Sequence, residues 1–250
     1  MESSRRAGWR IEVFDLALIM AGGFVAAAVS GAAGFGGALL LLPLLTHMAG
    51  AKVAVPLLTV AQLTGNLARI GFNAQAIAWR PVGLFLLGAV PAAALGALSF
   101  VSLREDVVVR AVGAALLCFV LLRVTGVLTL RPSRSLLIGG GALTGFLSGL
   151  VGSAGPLGAA VFLSLNLPPP VYIASEAVSA AAMHGLKMAI YGTQLRLDPA
   201  FWSVAFALGG AMILGTWAGK RLVEKLSPDR FQRLVSVLLS AAAAQMLLFG

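Results

Sequence analysis

The chain has 250 residues, of which 59% are apolar and only 11% charged, and its mean hydropathy is +0.96. A soluble domain carries roughly 45–50% apolar and about 25% charged residues, so this composition excludes a soluble enzyme, a disordered segment and a disulfide scaffold, the last also because Cys118 is the single cysteine. The net charge of +9 does not point to nucleic acid: the bases fall in short runs between apolar stretches, as at Lys220, Arg221, Lys225, Arg230 and Arg233, which is where membrane proteins carry them.

Taken in chain order, the apolar stretches read as an all-α, polytopic helical membrane protein. A span needs about 20 apolar residues. The first stretch, 13–47, is too long for one straight span and too long for a signal peptide, so it is expected to belong to the bundle. Ordinary spans follow at 53–72, 81–103 and 107–128. A second overlong stretch covers 135–167, and further spans are expected at 171–192, 200–219 and 231–249. With eight crossings the lysines and arginines divide almost evenly between the two sides, so the sequence leaves orientation open.

The two overlong stretches resemble each other. Ser30-Gly31-Ala32-Ala33-Gly34-Phe35-Gly36-Gly37 aligns with Ser148-Gly149-Leu150-Val151-Gly152-Ser153-Ala154-Gly155 at an ungapped offset of 118 residues. The same offset carries Asn66 onto His184, Arg69 onto Lys187 and Arg80-Pro81 onto Asp198-Pro199. The expected organisation is therefore two homologous four-helix halves, 1–130 and 131–250, each with its first helix interrupted. Repeats with interruptions at matching places are a transporter pattern, with the site at the interruptions.

The interruptions are expected at Gly34, Phe35, Gly36 and Gly37 and at Gly152, Ser153, Ala154 and Gly155. Three glycines in four residues disfavour helix by about 1 kcal/mol each. Unwound backbone at membrane depth must face protein or a polar cavity. Ser153 is placed to cap a following half-helix, with Pro156 in its first turn. Such a helix start directs free N–H groups and partial positive charge at the break, which suits an anion. Gly36 and Gly155 are the glycines expected to give close backbone approach and positive φ. Gly141, Gly145 and Gly149, and Gly215 with Gly219, have the small-xxx-small spacing of helix packing instead.

Polar residues inside the spans are the second signal. Gln62, Asn66 and Arg69 share one helix face, and so do Glu176, His184 and Lys187. Intramembrane charges usually face the bundle interior. The competing reading for Arg69 is snorkelling to the nearby interface; for Asn66 and His184 it is a helix–helix hydrogen bond. Glu176 is expected to pair with Lys187 rather than to carry protons. No His/Cys cluster has metal-ligand spacing, no nucleotide loop or nucleophile elbow occurs, and Glu176 is the lone buried carboxylate. The chain is therefore read as neither an enzyme nor a cofactor protein, its partners being a small anion and the lipid bilayer, with a homodimer left open.

Ser30 to Gly37 followed by Leu40-Leu41-Leu42-Pro43-Leu44-Leu45 resembles the opening signature of the sulfite exporter TauE/SafE-like permeases. Ser148 to Pro156 is a looser second copy, with Ser-Ala-Gly-Pro where the first has Gly-Phe-Gly-Gly. Asp198-Pro199-Ala200-Phe201-Trp202 and the run Leu214 to Leu222 are similar to late spans of that family. The resemblance implies a bacterial inner-membrane permease of two four-helix halves whose cargo is a small sulfur-containing anion such as sulfite, a sulfonate or thiosulfate. An anion channel, or a permease for another small organic anion, is the alternative.

Overall fold

A computed structural model describes residues 13–104, 131–195 and 197–225, with isolated positions at 107, 227, 230 and 237. The spans expected at 107–128 and 231–249 lie outside the described residues. Those described form α1 (Val13–Ala33), α2 (Gly37–Ala49), α3 (Ala51–Asn73), α4 (Trp79–Ser102), α5 (Arg134–Val151), α6 (Gly155–Leu163), α7 (Pro169–Gln194) and α8 (Pro199–Val223), with a 3-10 turn at Ala74–Ala76 after α3. α1, α3 with its 3-10 turn, α4, α5 and α8 are long and apolar enough to cross a membrane. α7 is longer still at 26 residues, but it carries Glu176, His184 and Lys187.

Local chemistry sets the boundaries. The Ser133 hydroxyl accepts from Leu136 N at 3.0 Å at the start of α5. Asp198 caps α8, whose first residue is Pro199. Pro169 and Pro170 open α7, where missing N–H groups cost nothing. α1 and α5 each stop at a glycine of positive φ, Gly34 at 83° and Gly152 at 88°, the usual left-handed residue after a helix end.

Lipid tails are as apolar as leucine, so a bundle in a bilayer is held by close packing rather than by burial. The glycine ridges do this. α4 lies along α5 and α1 along α8. A Cβ at Gly141 or Gly145 would come within 2.2 Å of the Phe85 or Ala89 carbonyl oxygen, and one at Gly215 within 2.2 Å of that of Phe24. These glycines let backbones touch, as their spacing predicts. Between the two pairs run α3 and α7, which pack on each other. An apolar cluster lies on each side of them, one with Phe85, Phe162 and Tyr172, the other with Leu41, Leu57 and Leu208. The buried polar residues Gln62, Asn66, Arg69, Glu176, His184 and Lys187 all lie on α3 and α7.

The offset of 118 residues runs through this arrangement. It carries the start of α2 at Gly37 onto that of α6 at Gly155, and the start of α3 at Ala51 onto that of α7 at Pro169. It also exchanges the α1–α8 contact for the α5–α4 contact, while α3 against α7 maps onto itself.

Candidate functional site

The two interruptions meet at the centre of the bundle. Residues 34–36 and 152–154 are non-helical, while Gly37 and Gly155 already belong to the half-helices that follow. Gly36 has φ of 101°, as expected. Gly155 does not take positive φ; Gly152 does, because Gly152 is the residue that ends α5 and the chain has regained helical geometry by Gly155. The residue capping α6 is Ala154 rather than Ser153, and Ser153 Oγ makes only a long contact of 3.4 Å from Gly155 N. A Cβ on Gly155 would lie 3.7 Å from Phe35 Cβ and 3.9 Å from Gly36 N. The starts of α2 and α6 therefore face each other.

Both intramembrane bases turn inward. Arg69 is 4% exposed and Lys187 0%, which removes the snorkelling reading. Arg69 Nη1 donates to the Gly34 carbonyl and to Glu176 Oε2 at 2.9 Å, and its Nη2 donates to Asn66 Oδ1. Lys187 Nζ donates to Gly152 O at 2.7 Å, Ser148 O at 3.1 Å and Ser148 Oγ at 3.0 Å. The last carbonyls of a helix have no partner within it, and cations are favoured there. Each base thus ties off the carbonyl end of one broken helix. Tyr172 and Tyr191 add a hydroxyl apiece, to Ala33 O at 3.1 Å and Gly149 O at 2.9 Å.

Glu176 pairs with Arg69, not with Lys187 as the sequence reading expects. Glu176 and Lys187 stand eleven residues apart on one helix, about 16 Å along its axis, which no ion pair bridges. Arg69 reaches Glu176 from the facing helix. Arg69 and Lys187 are not brought to one cavity either: Arg69 lines it, and Lys187 lies behind the second break.

A cavity of about 30 Å³ fills the space between the two half-helix starts. Gly34, Phe35, Gly36, Ser153, Ala154, Gly155, Asn66, Arg69, Glu176 and His184 line it; Gly37, Gly152 and Lys187 do not. Among the described residues, four fully buried side-chain polar atoms have no hydrogen-bond partner: Gln62 Nε2, Asn66 Nδ2, Thr144 Oγ1 and His184 Nδ1. All four belong to residues of this wall. Asn66 Oδ1 is held by Arg69, so the Asn66 NH2 group is the end left free. Unpaired buried polar groups cost roughly 1–3 kcal/mol each, and four around one space mark it as built for a polar occupant. A cavity needs about 10–15 Å³ per water, so this one holds about two waters or one small ion. Gln62 shares the Asn66 face and was legible as such. Thr144 was not, because it sits within the glycine ridge of α5, whose spacing reads as packing.

The two ends of the α3–α7 pair differ. Beyond Arg69 lies a second cavity of about 320 Å³, lined by Phe72, Asn73, Pro169, Ile173, Thr216 and Lys220 among others. At the opposite end, among the described residues, the counterparts of Asn73 and Ile173 are packed side chains. Tyr191, the counterpart of Asn73, is 0% exposed and packs against the Phe100 ring, with centroids 5.3 Å apart and the rings tilted by 59°. Val55, the counterpart of Ile173, packs with them. Lys52 covers this end, donating to Phe100 O and Leu103 O at 2.9 Å each and lying 4.9 Å over the Phe100 ring.

A family model described as sulfite exporter TauE/SafE matches residues 19–246. Neither the curated proteins nor the solved structures contain a significant match.

Proposed function

The chain belongs to the sulfite exporter TauE/SafE family, a family of membrane transporters, and from that premise we propose that it carries a small sulfur-containing oxyanion across a bacterial inner membrane by alternating access. The observation that carries the reading is the ring of four unpartnered polar atoms around the central cavity. Asn66 and Gln62 amides and the Thr144 hydroxyl donate, and the backbone N–H groups at the starts of α2 and α6 add to them. Together they suit the oxygens of sulfite, a sulfonate or thiosulfate. The cavity admits an ion of sulfite size and would have to widen for a longer sulfonate.

The difference between the two ends supports alternating access. Beyond Arg69 a wide cavity leads toward the site, while among the described residues Tyr191, Phe100 and Lys52 pack together over the opposite side. In a duplicated bundle the two halves can exchange these conformations, which turns an inward-open site into an outward-open one. The offset of 118 residues in helix starts and helix contacts supports reading the chain as two such halves, 1–130 and 131–250. Phe14, Leu87, Phe206 and Leu214, all more than 60% exposed, would face the hydrocarbon.

Counter-flow in proteoliposomes tests the reading. Preloading with unlabelled sulfite should accelerate uptake of labelled sulfite, and the flux should saturate. Flux that rises linearly with concentration and shows no trans-acceleration would favour an anion channel instead.

A further inference from the structure

We infer that the central site selects singly charged oxyanions over doubly charged ones of the same shape. The inference rests on the anion-site reading above and adds a charge state to it. It follows from counting which charges at the cavity are already answered.

Among the described residues, the ionisable side chains at the cavity are Arg69, Glu176 and His184, with Lys187 behind the second break. Arg69 is matched by Glu176 at 2.9 Å, both nearly buried. The backbone adds no net charge. The starts of α2 and α6 bring partial positive charge to the breaks, and the ends of α1 and α5 bring partial negative charge to the same two places. What remains is His184 and Lys187, three residues apart on α7 and both buried. A second cation beside the Lys187 ammonium in a desolvated site is too costly, so His184 counts as a neutral imidazole and the one charge left is that of Lys187. Its Nζ has three acceptors within 3.1 Å, Gly152 O, Ser148 O and Ser148 Oγ, which is the full complement an ammonium donates to. The other groups facing the space, Gln62, Asn66 and Thr144, are neutral donors.

The site therefore has one uncompensated positive charge in a region of low dielectric. A monoanion balances it. A dianion leaves a net negative charge buried among apolar helices, which is costly where water cannot screen it. Within the sulfur oxyanions proposed above, hydrogen sulfite and singly charged sulfonates meet the condition; sulfate, thiosulfate and fully ionised sulfite, which the neutral donors alone would accept, do not. Glu176 sets this preference by cancelling Arg69, so it is a specificity residue as well as a structural partner.

Methanesulfonate and sulfate make the comparison, since one is the other with a methyl group in place of one oxygen. The purified full-length protein in proteoliposomes is assayed for uptake of labelled sulfite, at a pH where hydrogen sulfite is abundant, with either ion as competitor. Methanesulfonate should compete about tenfold better than sulfate, or more. Glu176→Gln frees the Arg69 charge while nearly keeping its shape, and should shift the ratio at least about tenfold toward sulfate. Because the methyl group is the same in both proteins, that shift reports charge alone. Equal competition by the two ions in the unmodified protein, or an unmoved ratio in a folded Glu176→Gln variant, would overturn the inference while leaving an anion site intact. If sulfite uptake does not saturate and neither ion competes, the anion-site reading itself fails, and the charge preference with it.

Discussion

The ammonium of Lys187 lies 2.7 Å from the carbonyl oxygen of Gly152, the residue at which α5 ends. Arg69 makes the same contact with Gly34, the residue that follows α1. A helix broken inside a membrane leaves carbonyls that lipid cannot satisfy. The two bases answer that need, and the opposite faces of the breaks stay free for a ligand.

The first prediction follows from this. Lys187→Met keeps the length of the side chain and removes its donors, leaving the Gly152 and Ser148 carbonyls without them. At about 1–3 kcal/mol for each unpaired buried group, the variant should lose several degrees or more of thermal stability in detergent. Lys187→Arg should recover part of the loss. A Lys187→Met protein as stable as the unmodified one would show that the contact does not hold the break.

The orphaned donors should behave in the opposite way. Thr144→Val and Gln62→Leu remove buried cavity-wall atoms, Thr144 Oγ1 and Gln62 Nε2, that have no hydrogen-bond partner within the protein. In the absence of anion these variants should be as stable as the parent or slightly more so, since the desolvation cost of about 1–3 kcal/mol is relieved. The stabilisation that sulfite gives the parent in a thermal-shift titration should shrink sharply. Unchanged sulfite stabilisation in both variants would remove Thr144 and Gln62 from the site.

Much of this could be read from residue types. Glycine clusters doubled at a fixed offset locate both breaks, and bases on otherwise apolar helices locate the buried charges. What could not be read is partner choice across the fold. Arg69 and Glu176 stand 107 positions apart, and nothing in either local segment shows that α3 and α7 face each other. Helical spacing suggested Lys187 for Glu176 because the two share a face, but a shared face three turns apart is not a contact. The left-handed glycine of the second break was misplaced for a related reason. Gly152 and Gly155 both flank the break, and φ depends on where α5 stops, which glycine content does not set.

Access to the site should be one-sided. With Cys118 replaced by serine, a single cysteine at Asn73, a half-buried residue that lines the wide cavity, should react with a charged, membrane-impermeant methanethiosulfonate reagent. A cysteine at Val55, buried at the packed end, should not. Tyr191→Ala in the Val55 background should restore reaction, because it empties the space between Phe100 and the α5 backbone. Equal labelling at both positions in the unaltered gate would describe a continuous pore and favour the channel.

The last prediction separates glycines that shape the site from glycines that pack helices. At Gly36 an added Cβ finds room, its nearest neighbour being Val29 Cγ1 at 3.6 Å, but φ is 101°. Gly36→Ala should therefore cost about 1–2 kcal/mol from the disfavoured backbone alone and disturb the N–H groups beside the cavity. Gly155 has neither obstacle: its φ is ordinary and nothing lies closer than 3.7 Å. Gly155→Ala should leave stability near the parent value, yet its methyl group projects toward Gly36 N across the space an oxyanion would occupy, so uptake should fall severalfold or more. At Gly145 the added Cβ would lie 2.2 Å from the Ala89 carbonyl oxygen, and backbone cannot yield as a flexible side chain can. Gly145→Ala should push α4 and α5 apart and lower yield and melting temperature, with uptake per folded molecule less affected. The three variants are to be compared by size-exclusion profile, melting temperature and flux normalised to folded protein. If Gly155→Ala loses stability as Gly145→Ala does, or keeps full flux, then the start of α6 is scaffold and the cavity between the two half-helices is not the place where the anion sits.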